Sequence, residues 1–196
     1  MKALPPLEAT AVWLGLTPDV LNFLGLGFGV LSGALIWLGQ PEEGGLALAF
    51  SGVADVLDGR IARCLGLVSR YGQFIDSTLD RFVEVSIFLG LVHYLREHPW
   101  GPLAAAAALS GSLLVSYTRA RGESVGIVCT VGLMPRGVRV GLTVTACLLD
   151  RWISRLYDVP SCSLLLMIVI LIAFGTFATA VYRTWWIARR LRSSVE

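Results

Sequence analysis

Four aspartates, Asp55, Asp58, Asp76 and Asp80, sit inside two segments that are otherwise apolar enough to lie in a lipid bilayer. A charged side chain at membrane depth costs roughly 3 kcal/mol on insertion scales, so carboxylates placed there line a cavity, meet a cation or do chemistry. Residues three or four apart share one face of a helix, so Asp55 with Asp58, and Asp76 with Asp80, each project two carboxylates into one space. All-oxygen ligation of that kind suits Mg²⁺ or Mn²⁺. The spacing therefore predicts a site for two divalent cations between two helices.

The rest of the chain fits a membrane environment. Of its 196 residues 55% are hydrophobic and only 15% charged, with a mean hydropathy of +0.70, too apolar for a soluble domain that must cover its surface. Segments near 20–39, 46–66, 73–95, 101–118, 137–156 and 161–186 are each long enough to span a bilayer. The expected fold is an all-α integral membrane protein of six transmembrane helices, residues 1–196 forming one domain, with a short interfacial helix at the N-terminus instead of a cleavable signal peptide. Two short turns are expected, at 39–45 and 96–101.

Lys2 and most of the arginines fall on one side of six alternating spans, against Arg96, Arg151 and Arg155 on the other. Cytoplasmic loops are enriched in Lys and Arg, so both termini and the acidic cluster are expected to face the cytoplasm. The basic run from Arg183 to Arg192 reads as a surface for anionic headgroups. Arg81, beside Asp80, is placed to pair with a carboxylate or a phosphate. Four scattered cysteines without a CxxC indicate neither zinc nor a disulfide framework. His93 and His98 read as interfacial polar residues, and Gly25, Gly27 and Gly29 as helix-packing positions.

Around the acids the sequence runs Asp55-Val-Leu-Asp58-Gly59-Arg-Ile-Ala62-Arg63, then eight residues, then Gly72-Gln-Phe-Ile-Asp76-Ser-Thr-Leu-Asp80. Gly59 and Ala62 share a helical face with Asp58, and minimal side chains there let a ligand approach the backbone. Arg63 offers a planar guanidinium suited to phosphate oxygens. Together these residues point to a phosphorylated, nucleotide-linked substrate at the membrane boundary. The pattern resembles the signature of the CDP-alcohol phosphatidyltransferases at every fixed position. That resemblance implies transfer of a phosphatidyl group from a CDP-linked lipid alcohol, such as CDP-diacylglycerol, to an acceptor hydroxyl with release of CMP. It also implies that Asp55, Asp58, Asp76 and Asp80 hold two cations, that Asp80 is the general base, and that Asp58, Gly59, Ala62, Arg63, Gly72 and Asp76 contact CDP. Residues 16–22, Leu-Thr-Pro-Asp-Val-Leu-Asn, resemble the family's Thr-Pro-Asn entry and serve equally as a helix cap.

A second polar group, Ser116-Tyr-Thr-Arg119-Ala-Arg121-Gly-Glu123 followed by Pro135-Arg136-Gly-Val-Arg139, would bring further guanidinium groups to the same side. It looks like the phosphatidylinositol-phosphate synthase branch, with Arg119 at a lysine position and Gly122 and Gly137-Val138 departing from the pattern. The resemblance implies Arg119, Arg136 and Arg139 as contacts for the acceptor's phosphate, with inositol 1-phosphate favoured and glycerol 3-phosphate the alternative. It further implies a homodimer in the inner membrane, for which Ala104 to Ala108 offer a close-packing surface; no nucleic-acid partner is expected. The reading from another class is a divalent-cation or proton-coupled transporter, which would distribute its acids across the membrane and show an internal repeat.

Overall fold

The computed structural model describes Gly15 and residues 17–193, which hold six α-helices: α1 (Pro18–Trp37), α2 (Pro41–Leu65), α3 (Arg70–Tyr94), α4 (Gly101–Ser124), α5 (Arg136–Tyr157) and α6 (Ser163–Ser193). The expected N-terminal interfacial helix lies outside the described residues. Each expected span falls almost wholly within one of these helices, and α1, α4 and α6 are long and apolar enough to cross a membrane. The other three are as long but carry the charged residues of the motif and its neighbours, which lowers their hydropathy.

Local chemistry sets the helix ends. Thr17 caps α1 by accepting a hydrogen bond from the Val20 amide at 3.3 Å, with Pro18 at the first helical position and Asp19 in the first turn. Thr17 thus performs the capping role foreseen for the entry segment. Gly66, at φ +69°, ends α2 in the left-handed conformation, and the Leu67 amide closes back on the Ala62 carbonyl at 2.9 Å. Only Leu67 and Val68 separate that end from Ser69, whose hydroxyl caps α3 through the Gly72 amide at 3.0 Å. This tight reversal lays the two halves of the acidic motif side by side.

The segment 39–45 differs from the expected turn. Gly39 reverses the chain at φ +84°, but Pro41 already begins α2, with Glu42 and Glu43 favourably placed in its first turn. Gly44 and Gly45 are inside the helix because α1 and α5 approach too closely for a side chain: a Cβ would press on Ile36 and on Cys147 respectively. The link 96–101 is short, as expected.

The helices form a closed ring in the order α1, α2, α5, α6, α4, α3, each packed on the next. Small residues permit the approach. The Ser51 hydroxyl of α2 donates to the Gly25 carbonyl of α1 at 2.7 Å, Gly29 faces Val83, Gly33 lies against the α3 backbone at Ser86, and Gly111 of α4 abuts Thr176 of α6. Gly25 and Gly29 therefore pack as expected, whereas Gly27 has nothing within 4 Å of a would-be Cβ. Ala104, Ala105 and Ala108 are buried within the chain itself, whereas Ala106 is exposed and Ala107 half-buried. No cysteine is disulfide-bonded, and His93 stacks on Trp37 with centroids 3.9 Å apart.

At the end of α6, Arg189 and Arg190 lie over Trp185 and Trp186, an arrangement suited to a membrane interface. Arg183 does not belong to that surface. It is buried and donates to the carbonyls of Val131 at 2.7 Å and Val115 at 2.8 Å, tying the α4–α5 loop to α6. The Thr179 hydroxyl holds the same loop through the Met134 amide at 3.3 Å.

Gly33→Ala should destabilise the protein by about 2 kcal/mol, because the added methyl must displace α3 backbone. Gly27→Ala should be neutral or stabilising by up to about 1 kcal/mol. Thermal melts in detergent check the pair, with the opposite order contradicting the packing.

Candidate active site

Because successive helices along the chain run in opposite directions, the N-termini of α1, α3 and α5 and the C-termini of α2, α4 and α6 share one end. That end carries the acidic motif. Glu42 and Arg151, paired at 3.2 Å, join α2 to α5 at the other.

Carboxylate oxygens of Asp55, Asp76 and Asp80 lie within 4.8 Å of one another, close enough to ligate a common cation. Asp58 stands beside this trio, within electrostatic reach of Asp55 and Asp76. It is 5% exposed, and its Oδ2 is buried with no hydrogen-bond partner among the described residues. Arg136, from the first turn of α5, reaches across to both helices, 2.7 Å from Asp55 Oδ1 and 2.6 Å from Asp80 Oδ1. Arg81 lies 3.5 Å from Asp80 Oδ2 and 3.4 Å from Glu84 Oε2, and also bonds Ser116 of α4. Glu84 in turn holds Arg139, whose third contact is the Met134 carbonyl at 2.8 Å.

Charge decides what such a site lacks. Five carboxylates (Asp55, Asp58, Asp76, Asp80 and Glu84) meet three guanidinium groups (Arg81, Arg136 and Arg139), and counting Arg63, which lines the adjoining cavity, the acids still outnumber these arginines. Like charges 4.8 Å apart repel by roughly 3 kcal/mol at an effective dielectric of 20. A cluster of hard oxygen donors, one of them a buried orphan, fits one or more divalent cations and is poorly explained by the arginines alone.

A cavity of about 630 Å³ opens beside the cluster. Asp58, Gly59, Ala62, Arg63, Gly72 and Asp76, the six residues expected to contact a nucleotide, all line it, together with Thr17, Asp19 and Asn22 from the entry of α1. The Arg63 guanidinium passes over Gly59, 3.4 Å from where a Cβ would stand. A narrow cleft adjoins, lined by Asp55, Asp80 and Arg136, and Asp58 borders both spaces. Asp58 and Asn22 thus line both a large pocket and a small one bordered by Asp80.

The remaining arginines are placed differently from one another. Arg119 is more than half exposed and pairs with Glu123 at 2.9 Å, one turn on. Arg139 is 3% exposed and fully engaged. Of the three arginines expected at an acceptor's phosphate, only Arg136 borders the cleft. Glu84 was not singled out in the sequence, although its position one turn beyond Asp80 in an apolar helix carries the same signal as the four aspartates. Tyr71 and Gln73, which also line the large cavity, carry no such signal.

In the presence of EDTA, Asp58→Asn should melt a few degrees above the unsubstituted protein, since it removes a buried negative charge facing Asp55 and Asp76, a relief of about 1–3 kcal/mol. With Mn²⁺ the order should reverse, because only the carboxylate gains a cation. An identical melting order in both conditions would contradict the assignment.

Comparison with known proteins agrees with this geometry. Residues 15–135 match the CDP-alcohol phosphatidyltransferase family. A phosphatidylinositol phosphate synthase of Streptomyces avermitilis is 32% identical over 195 residues, 96% of this chain and 79% of the relative. An archaetidylinositol phosphate synthase of Pyrococcus horikoshii is 34% identical over 157 residues, 76% of this chain and 80% of that one. Among solved structures, the Mycobacterium tuberculosis phosphatidylinositol phosphate synthase with CDP-DAG bound superposes with a TM-score of 0.79 at 28% identity, covering 93% of this chain and 92% of that one. The same enzyme in complex with manganese and citrate gives 0.80 at 29% identity, covering 93% and 87%. A membrane protein by its apolar helices and its relatives alike, the chain belongs to the CDP-alcohol phosphatidyltransferase family.

Proposed function

We propose that the protein transfers the phosphatidyl group of CDP-diacylglycerol to the hydroxyl of a polar, phosphorylated acceptor, with inositol 1-phosphate favoured, and releases CMP. The observation that carries this reading is the cavity lined by all six motif residues assigned to the nucleotide, which shares Asp58 and Asn22 with the cleft bordered by Asp80 and Arg136. The family match and the inositol phosphate synthases among the relatives support the acceptor class.

In this reading the cytidine diphosphate lies along α2, where Gly59 and Ala62 leave room at the helix surface and Arg63 meets a phosphate oxygen. Asp55, Asp58, Asp76 and Asp80 would hold two divalent cations, Mg²⁺ or Mn²⁺. When bound, these neutralise the diphosphate and the charge that develops on the departing CMP. Asp80 accepts the proton from the acceptor hydroxyl as its oxygen forms a bond to the lipid-bearing phosphorus. The bond from that phosphorus to the bridging oxygen breaks, and the electron pair leaves with CMP. Arg136, already between α2, α3 and α5, is the acceptor-phosphate contact that the geometry supports best. Arg119 would contribute from the exposed rim, and Arg139 only by parting from Glu84.

The same arginines would serve glycerol 3-phosphate, which stands as the second acceptor. We place all six helices across the membrane, with both termini and the site on the cytoplasmic side of the inner membrane. The arginines gathered at the site end of the ring support that orientation. The motif acids gather at that one end, which does not favour the transporter reading. A homodimer is part of the proposal on family grounds alone.

Purified protein with CDP-diacylglycerol and Mn²⁺ should release CMP when inositol 1-phosphate is added, and less or none with glycerol 3-phosphate or serine. Asp80→Asn should lower the rate by about 10² to 10⁴. Absence of CMP with every acceptor, from folded protein that binds metal, would overturn the proposal; preference for glycerol 3-phosphate would move the acceptor only.

A further inference from the structure

Glu84 lies outside the family motif and outside both cavities, yet like Asp80 it is reached by two arginines from the site. It is 3% exposed on α3, one turn beyond Asp80. Arg139 of α5 donates to it through Nε at 3.1 Å and through a terminal nitrogen, and Arg81 reaches it at 3.4 Å. Each arginine then continues toward the chemistry. Arg81 touches Asp80 Oδ2 at 3.5 Å and bonds Ser116 on α4. Arg139 sits one helical turn from Arg136 and donates to the Met134 carbonyl, fixing the end of the loop from which α5 starts.

We propose that Glu84 is a positioning residue for the transfer step: through Arg81 it orients the Asp80 carboxylate, and through Arg139 it sets the turn of α5 that carries Arg136. The inference rests on the phosphatidyl-transfer reading but assigns Arg139 a different part, that of being held by Glu84 instead of touching the acceptor. Stability alone is a weak reason for such an arrangement, because a buried ion pair contributes little net stability against a neutral pair of similar shape, while removal of one partner is costly. What the pair provides here is direction. Arg139 bonds one carboxylate oxygen and Arg81 lies beside the other; Arg81 also reaches Asp80, and Arg139 stands one turn from Arg136, and Asp80 and Arg136 both border the cleft.

The test separates folding from positioning. Glu84→Gln should lower both the melting temperature and kcat, since it leaves Arg139 buried and unpaired. Glu84→Gln with Arg139→Gln removes both charges, so the double variant should melt within about 3 °C of the unsubstituted protein. Its kcat should nevertheless stay about ten- to a hundredfold low, with the KM for CDP-diacylglycerol and for inositol 1-phosphate little changed. Recovery of both stability and kcat would overturn the proposal, and a KM effect confined to the acceptor would make Arg139 a direct contact and overturn it too. Should the double variant remain unstable, Arg81→Gln, which spares the Glu84–Arg139 pair, decides: a kcat lowered at least tenfold supports positioning, and an unchanged kcat overturns it. Mn²⁺ titration of Glu84→Gln supplies a readout that survives failure of the transfer reading. About tenfold weaker binding is expected where Asp80 has lost its orientation, and unchanged or absent binding would count against it.

Discussion

Uncompensated negative charge at one end of the helix ring is the constraint to which the rest of this protein answers. Three carboxylates share a space less than 5 Å across, and a fourth is buried beside them with an oxygen that meets no hydrogen-bond partner among the described residues. Arg136 offsets part of that charge from one side and Arg81 from another, but the balance stays negative. An arrangement of this kind is tolerable when cations and an anionic diphosphate arrive together. The cavity beside it has the lining to receive the second of these.

Holding four acids together requires a rigid frame, and the frame comes from small residues. Gly25 and Ser51, Gly33 and Ser86, and Gly111 and Thr176 bring helix backbones close enough for van der Waals contact and direct hydrogen bonding. The reversal from Gly66 to Ser69 brings the end of α2 against the start of α3. Position along the chain is thereby converted to position in space. A shift of one residue in either helix would rotate a carboxylate out of the cluster.

Much of this was legible because the motif carries its own geometry. The i, i+3 and i, i+4 spacing of the aspartates, the small residues at Gly59 and Ala62 and the cap at Thr17 each state a local rule, and the structure follows them. What the sequence did not disclose depends on contacts between distant segments. Arg183 reads as one of a basic terminal run, and only the folded α4–α5 loop shows it buried against two carbonyls. Ala104 to Ala108 read as a surface, and only the packing of α4 on its neighbours shows Ala104, Ala105 and Ala108 buried. Arg139 and Arg136 are equivalent in sequence, but one faces Glu84 and the other the cleft. Gly44 and Gly45 suggest a loop, and the helix there is imposed by close neighbours on α1 and α5.

The most direct test of the account is to locate Mn²⁺ by anomalous scattering from crystals of the full chain and to count the ions per chain. Two sites, both within ligand distance of carboxylates from Asp55, Asp58, Asp76 and Asp80 and with Asp58 among the ligands, are the expected result. Manganese bound elsewhere, or an acid cluster satisfied by arginines alone in the presence of the metal, would contradict the central claim that this charge is arranged for cations.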